Sequence, residues 1–179
     1  MEIQHRYQLP ELLRHFNLPL IGAEVGVAEG YFSADLLHNG MEELYMIDLW
    51  SHVDKFGDSA SPQAWHDKNF EAAVERVKPY GDKAVILKGW TTEMAAQIPD
   101  NSLGLVYLDA GHDFNSVKAD LMAYFPKLVP GGIMAGHDYL NDGYGVRKAV
   151  TEFCEGKYEI HLIPENNEHP EYASFWFKI

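Results

Sequence analysis

The composition of this 179-residue chain excludes several classes of protein before any motif is considered. Apolar residues make up 46% and charged residues 23%, as in an ordinary globular protein, and the one cysteine, Cys154, rules out an internal disulfide or a cysteine-based zinc cluster. A formal net charge of −13 argues against nucleic acid as a partner, because nucleic-acid binding depends on clustered Lys and Arg.

The predicted elements alternate between strands and helices along the chain. A helix over 9–17 lies within an N-terminal segment, 1–18, that is predicted to cap the rest. Strand-like apolar runs follow at 19–27, 43–50, 83–90, 103–110 and 131–138, and segments with helical spacing lie between them at 31–40, 62–81 and 116–132. Residues 51–66 are predicted to form a loop long enough to act as a lid. The alternation predicts a parallel sheet with helices on both faces.

The end of the chain departs from this alternation. A helix over 145–156 leads to an apolar run at 158–165, and the last run, 172–179, follows after a polar loop at 164–171 that has no room for another helix. Strands joined in this way pair antiparallel. The sequence therefore predicts an α/β fold: a doubly wound, Rossmann-like sheet of seven strands, mostly parallel, that ends in an antiparallel β-hairpin.

Polar and special residues collect at the predicted carboxyl ends of the strands. The tripeptide Gly-His-Asp occurs twice, at 111–113 and 136–138, each time directly after an apolar run. In an open parallel sheet, ligands bind outside the carboxyl ends of the strands, where the strand order reverses. We therefore expect a functional site from the residues that share this edge, which are Glu24, Gly26, Asp48, Trp90, Asp109, His112, His137 and Asp138.

The stretch AEVGVAEG sets Gly26 and Gly30 between a strand and a helix. Glycine lets the backbone turn tightly and approach a ligand, and the start of the helix offers free N–H groups. The glycine fingerprint of NAD-binding proteins and the Walker motif of ATP-binding proteins are both absent. Asp48 ends the second strand, where an acidic residue of a nucleoside-binding fold accepts hydrogen bonds from ribose hydroxyls. A plain turn for the glycines and a turn or cap role for Asp48 remain open.

Four motifs in order resemble those of class I S-adenosylmethionine-dependent methyltransferases: AEVGVAEG, YMIDLW, LVYLDAGHD and LVPGGIMAGHDY, across residues 18–155. The segment 107–139, followed by GVRKAVTEF, is similar to the small-molecule O-methyltransferases that include metal-dependent sugar and antibiotic methyltransferases. The resemblance implies methyl transfer from S-adenosylmethionine to a hydroxyl of a small metabolite.

The resemblance also implies which residues bind S-adenosylmethionine. Glu24 and Gly26 would face its methionine end, and Gly30 would leave room for the main chain of the cofactor. Asp48 would bind the ribose. The aromatic Trp90 would stack on the adenine, although a place in the core is an equal alternative for it. The full set is Glu24, Gly26, Val27, Gly30, Asp48, Leu49, Trp50, Gly89, Trp90 and Asp109, of which Leu49, Trp50, Gly89 and Trp90 would surround the adenine.

A metal site and a general base are implied in the same way. Asp109, His137 and Asp138 would hold a divalent metal, and His112 would act with Asp109 in catalysis by removing the hydroxyl proton. His137 stands where a second carboxylate is usual, so Mg²⁺, Mn²⁺, Fe²⁺, Zn²⁺ and no metal at all remain open. The carboxylates would raise the pKa of His112, and bound metal would offset this. In the alternative, both histidines only cap the helices that begin near Asn115 and Gly145.

Two further functions remain open. A cofactor-binding protein of the same fold without turnover is supported by the unusual His137, whereas a nucleotide-dependent reductase is disfavoured by the glycine spacing and the terminal hairpin. Neither an export signal nor a membrane-spanning apolar run occurs. We therefore expect one domain over residues 1–179 in the cytoplasm, with a small-molecule substrate, no membrane or nucleic-acid partner, and homo-oligomers as an open possibility.

Overall fold

The structure is a computed structural model that describes residues 1–54, 57–164 and 172–179. Its strands are β1 (Ile21–Val25), β2 (Glu43–Asp48), β3 (Ala84–Lys88), β4 (Leu103–Leu108), β5 (Leu128–Gly136), β6 (His161–Ile163) and β7 (Ser174–Lys178). Its helices are α1 (Leu9–His15), α2 (Tyr31–His38), α3 (Gln63–Val77), α4 (Thr91–Met94), α5 (Phe114–Tyr124) and α6 (Val146–Cys154). Within the described residues, no helix is long and apolar enough to cross a membrane.

The seven strands form one sheet in the order β3-β2-β1-β4-β5-β7-β6. Strands β1 to β5 run parallel, and β7 lies antiparallel between β5 and β6. The strand order reverses between β1 and β4, which are neighbours in space although β2 and β3 separate them in the chain. The predicted fold is confirmed, and the reversal gives a crevice at the carboxyl ends of β1 and β4 where a ligand can bind.

Each face of the sheet is covered by its own apolar layer. Strand β4 is buried along its whole length because Leu105 and Tyr107 join one layer while Val106 and Leu108 join the other. Helices α1, α2 and α3 contribute to the first layer, and α5 and α6 contribute to the second. The helices thus cover both faces and leave the carboxyl ends of the parallel strands at one open edge.

The structure corrects two predicted boundaries. The segment 116–132 was expected to be helical, but α5 ends at Tyr124 and β5 begins at Leu128, because Pro126 lies in a short 3-10 turn and Leu128 pairs with Leu103. Strand β6 covers only three residues of the predicted run 158–165. The backbone N–H of Tyr158 donates instead to the carbonyl of Cys154, which ties the start of that run to the end of α6.

The predicted lid over 51–66 is anchored at its base. Gln63, the first residue of α3, accepts a hydrogen bond from the backbone N–H of His52 at 3.0 Å and donates one to the carbonyl of Trp50 at 3.3 Å. Residues 57–60 form a 3-10 turn. Lys55 and Phe56 lie outside the described residues, as does most of the predicted polar loop 164–171. A lid movement of this segment stays a prediction.

Candidate active site

The two glycines after β1 allow close contacts within the protein. Gly26 has a φ of +96°, and a Cβ there would lie 2.2 Å from the carbonyl oxygen of Asp109, so only glycine lets this loop touch the end of β4. Gly30 has a φ of +75° and directly precedes α2, and a Cβ there would lie 3.1 Å from Cα of Ala73. Both glycines are therefore needed for the turn, and their contact with a ligand stays a prediction.

Asp48 organises the same loop. One carboxylate oxygen, Oδ2, accepts hydrogen bonds from the backbone N–H groups of Val27 and Ala28, both at 2.8 Å. The other, Oδ1, accepts one from the backbone N–H of Trp50 at 3.0 Å. A carboxylate has about four acceptor positions, so Oδ1 keeps one for a ribose hydroxyl. Asp48 thus shapes the site as well as offering it an acceptor.

The residues predicted to surround the adenine fall into two groups. The Trp50 side chain is only 1% exposed and lies beneath the loop, where its Nε1 donates to the carbonyl of Ala28 at 2.8 Å. Trp90 is 40% exposed at the start of α4, so its alternative assignment to the core is wrong. The next residue, Thr91, is held by Asp120 through its hydroxyl and by Tyr124 through its carbonyl. Trp90 therefore stands on a fixed turn and is partly exposed.

Glu24 is a buried carboxyl group rather than an open one. It is 2% exposed, and the hydroxyl of Ser33 on α2 donates a hydrogen bond to it. Its pKa is raised to about 8, chiefly by burial; the hydrogen bond from Ser33 and the charge of Arg6 lower it, and the charges of Asp109 and Asp48 raise it. Glu24 links β1 to α2, and its predicted contact with the methionine end stays a prediction.

The two Gly-His-Asp motifs meet at the ends of β4 and β5. Nε2 of His112 lies 3.0 Å from Oδ2 of Asp138 and 3.5 Å from Oδ1 of Asp109. Nδ1 of His137 lies 3.4 Å from Oδ1 of Asp138 and 3.9 Å from Oδ1 of Asp109. One ligand atom each from Asp109, His137 and Asp138 lies within 4.8 Å of the others, which suits a shared divalent ion. We call these four residues the histidine–aspartate cluster.

The histidine–aspartate cluster perturbs its own proton affinities. Asp109 and Asp138 favour the imidazolium and raise the pKa of His112 to about 9, although partial burial acts in the opposite direction. Burial alone would raise the pKa of Asp138, but His112 and then His137 hold it well below its usual range. Nε2 of His112 is buried and makes no well-aligned hydrogen bond to a described residue. A buried nitrogen without such a bond, facing two carboxylates, fits a site completed by a ligand.

The alternative that both histidines only cap helices is wrong. Asp113 caps α5, because its carboxylate accepts hydrogen bonds from the backbone N–H groups of Asn115 and Ser116 at 3.0 and 3.2 Å. Gly145 precedes α6, and no described side chain caps that helix. Both imidazoles instead face the carboxylates at the strand ends.

Backbone strain is concentrated at the same edge. Among the described residues other than glycine, five have a positive φ, and three of these, Ala28, Trp50 and Asp138, follow β1, β2 and β5. A positive φ costs free energy for residues with a Cβ, and such residues cluster at functional sites. The strain therefore supports this edge as the site.

Several residues of the site were not predicted from the sequence. Arg6 reaches it from a 3-10 turn before α1, and its Nη1 lies 3.7 Å from Oδ2 of Asp109. Tyr144 stacks on His112 with ring centroids 4.6 Å apart, and Tyr172 lies parallel to His137 at 6.2 Å. Each belongs to a loop or turn, where hydrophobic periodicity carries no information.

Comparison with known proteins identifies the family. The sequence profile of the methyltransferase domain matches residues 21–139, which is more than half of the chain. The chain belongs to the methyltransferase domain family. The matched part of the methyltransferase domain runs from β1 to the residue after the second Gly-His-Asp, so it includes Asp48 and the whole histidine–aspartate cluster, whereas Arg6, Tyr144 and Tyr172 lie outside it.

Solved structures show the same fold at low sequence identity. The O-methyltransferase NovP is 18% identical with a TM-score of 0.69, over 96% of this chain and 76% of NovP. An O-methyltransferase from Bacillus cereus in complex with SAH is 13% identical with a TM-score of 0.71, over 97% of this chain and 80% of that one. The calicheamicin methyltransferase CalS11 is 18% identical with a TM-score of 0.68, over 98% and 80%. These likenesses establish the fold of the methyltransferase domain in this chain.

A curated relative is also similar. The uncharacterized protein y4gI of Sinorhizobium fredii (strain NBRC 101917 / NGR234) is 25% identical over 114 residues, which are 63% of this chain. The chain spans only 12% of the length of that relative. The similarity therefore extends to one part of a much longer protein.

Proposed function

We propose that the chain is an S-adenosylmethionine-dependent methyltransferase that methylates a hydroxyl group of a small metabolite. The observation that carries the proposal is the meeting of the loop after β1, Asp48 and the histidine–aspartate cluster at one edge of a methyltransferase domain. The net charge of −13 supports a small acceptor rather than nucleic acid. A cytoplasmic location, a single domain, homo-oligomers and a lid at 51–66 remain predictions.

The donor half of the site is the loop after β1 together with β2 and the turn after β3. Asp48 would accept a hydrogen bond from a ribose hydroxyl through the acceptor position that remains on Oδ1. Trp90 would stack on the adenine, with Gly89 and Leu49 beside it. Bound S-adenosylmethionine supplies a methyl group on a positively charged sulfur. The carboxylates of Asp48 and Asp109, at the ends of β2 and β4, favour a ligand with that positive charge.

The acceptor half is the histidine–aspartate cluster. The acceptor hydroxyl would give its proton to Nε2 of His112 and take the methyl group on its oxygen, while the donor leaves as a neutral thioether. With a pKa of about 9, His112 already carries that proton at neutral pH. The general-base role therefore needs a positive charge that offsets the pull of Asp109 and Asp138 on the imidazole proton.

Asp109, His137 and Asp138 are the residues that would hold a divalent metal. Such an ion would supply positive charge, which would favour loss of the proton from the acceptor hydroxyl and offset the charge of both carboxylates. One imidazole with two carboxylates suits Mn²⁺, Fe²⁺ or Zn²⁺ better than Mg²⁺, which prefers oxygen ligands. The chain itself contributes the position of His112, which Tyr144 holds by stacking.

A second candidate is a protein that binds the cofactor without turnover. The raised pKa of His112 favours it, because a protonated imidazole accepts no proton. Calorimetry with S-adenosylhomocysteine and with NAD(P)H tests the donor half: we expect micromolar binding of the former and none of the latter. Methyl transfer to a panel of diols and sugars, with and without Mn²⁺, then separates an enzyme from a binding protein. Binding of NAD(P)H alone would refute the proposed function.

A further inference from the structure

The turn that carries Arg6 is firmly built. The side-chain oxygen of Gln8 accepts hydrogen bonds from the backbone N–H groups of Gln4 and His5 at 2.9 and 3.1 Å, and the backbone N–H of Gln8 donates to the carbonyl of His5 at 3.0 Å. Ile3, just before the turn, is buried in the apolar layer that covers one face of the sheet. These contacts fix the backbone from which the Arg6 side chain extends to the strand ends.

Two aromatic side chains from different elements contact the Arg6 guanidinium. Its carbon lies 4.7 Å from the centre of the Phe32 ring, in the first turn of α2. Its Nη1 donates to the hydroxyl of Tyr107 on β4 at 3.3 Å, and that hydroxyl is itself hydrogen-bonded to Ser174 at 2.8 Å. The side chain is 30% exposed. The guanidinium thus sits in a partly desolvated position against side chains of α2 and β4.

Asp109 presents its two oxygens to different neighbours. Oδ1 faces His112 and His137, at 3.5 and 3.9 Å, and Oδ2 faces Nη1 of Arg6, at 3.7 Å. A closed charge-assisted hydrogen bond measures about 2.7–2.9 Å, so Arg6 and Asp109 form an open ion pair. The pair therefore offers a positive and a negative group side by side, on the opposite side of Asp109 from the histidines.

The binding of an anion at the carboxyl ends of the strands requires a positive group such as Arg6. Asp48, Asp109 and Asp138 lie at the strand ends, and their charges together disfavour the entry of a carboxylate. Of the lysines and arginines in the described part of the chain, Arg6 is the one that forms an ion pair with any of these residues. Arg6 therefore makes the approach of one negatively charged group favourable beside Asp109.

We propose that Arg6 and Asp109 together bind the zwitterionic α-amino acid end of the methyl donor. The guanidinium takes the donor's carboxylate, and Oδ2 of Asp109 takes its ammonium group. The inference rests on the proposed function, and it adds a residue that lies outside the matched range 21–139. The loop after β1 supports this position for the amino acid end. Gly26 in that loop touches the carbonyl of Asp109, and Phe32, which packs beneath Arg6, directly follows the loop. The donor would then extend from Asp48 on one side of β1 to Arg6 on the other.

Two ligands that differ only at the amino acid end test the inference. S-adenosylhomocysteine contains that end, and 5′-methylthioadenosine has the same adenosine and thioether without it. In calorimetry on the full chain, Arg6→Ala should weaken S-adenosylhomocysteine by roughly 10–100-fold and leave methylthioadenosine within about twofold of wild type. Arg6→Lys should recover part of the lost affinity, because it keeps the charge and loses the bidentate geometry.

Controls separate binding from folding. Tyr7→Ala changes the neighbouring residue of the same turn, which stacks on His5, and should leave both affinities unchanged. Thermal unfolding checks that each variant is folded. If Arg6→Ala is unfolded, Arg6→Gln replaces it, because it keeps a donor for Tyr107, and it should show the same selective loss of S-adenosylhomocysteine affinity. Equal loss of both ligands, or unchanged S-adenosylhomocysteine affinity in a folded Arg6 variant, would overturn the inference while the proposed function stands. Failure of the wild-type chain to bind either ligand would overturn both.

Discussion

The donor half and the acceptor half of the site are built by different forces. In the donor half, neutral backbone N–H groups satisfy Asp48, and Gly26 brings two strand ends into contact. In the acceptor half, two imidazoles and two carboxylates face one another, and proton affinities are shifted strongly. A backbone-built half keeps its shape when charge changes, whereas a charge-built half depends on pH and bound cations. Mutations in the two halves should therefore have separable effects.

The largest expected effect is in the acceptor half, and it concerns turnover alone. His112→Ala should lower methyl transfer to a true acceptor by roughly 10²–10⁴-fold, because a positioned proton acceptor is lost. The affinity for S-adenosylhomocysteine, measured by calorimetry, should stay the same, because His112 lies on the far side of Asp109 from Arg6. Near-normal turnover in this variant would remove the proton-accepting role from His112.

The donor half should respond in binding and in stability together. Asp48→Ala removes the acceptor of three backbone N–H groups as well as the predicted ribose contact. We expect S-adenosylhomocysteine affinity to fall by roughly 10–100-fold and the melting temperature to fall with it. Glu42→Ala, at an exposed position just before β2, is the matched control and should change neither. Wild-type affinity in a folded Asp48→Ala protein would show that the ribose assignment is wrong.

Metal affinity should distinguish the halves without any substrate. Titration with Mn²⁺, followed by electron paramagnetic resonance, should show one bound ion per chain in wild type, and His137→Ala should weaken it by about tenfold or more because one of three ligands is lost. Asp48→Asn should leave Mn²⁺ affinity unchanged, since Asp48 lies outside the group of potential ligands. Equal Mn²⁺ affinity in wild type and His137→Ala would contradict the metal site.

The smallest expected effect is on stability, through the buried Glu24. Its pKa is about 8 in the folded chain against an ordinary 4.5, so the folded state holds a proton that the unfolded state releases. The stability of the wild type should therefore fall as pH rises from about 5 to 8. Glu24→Gln removes this fall and should stabilise the protein by an order of 1–2 kcal/mol at pH 8.

Denaturant unfolding at pH 5.5 and pH 8 measures that difference. His112 adds a fall in stability of its own between about pH 6.5 and 9, because its folded-state pKa is raised to about 9. This fall in stability due to His112 should persist in Glu24→Gln and become smaller when Mn²⁺ is added. A Glu24→Gln variant with the same pH dependence as wild type would show that the buried carboxyl has an ordinary pKa.

The site itself was only partly predictable. The Gly-His-Asp repeat correctly brought Asp109, His112, His137 and Asp138 together, because parallel neighbouring strands end at the same edge. The identity of the helix caps could not be decided, since Asp113 adjoins His112 and either residue can precede a helix. The burial of Trp50 could not be predicted either, because an aromatic residue after a strand fits a core or a binding face equally well.

The sequence by itself determined the sheet, the helices on both faces and the edge at which the site lies, because apolar periodicity and strand-end residues are local features of the chain. Only the tertiary structure decided that Arg6 meets Tyr107, 101 positions away, and that Asp109 separates Arg6 from the histidines. It also decided the start of β5, where pairing with Leu103 outweighs the local helical pattern. Contacts between distant segments depend on how whole elements pack, and no local pattern encodes that geometry.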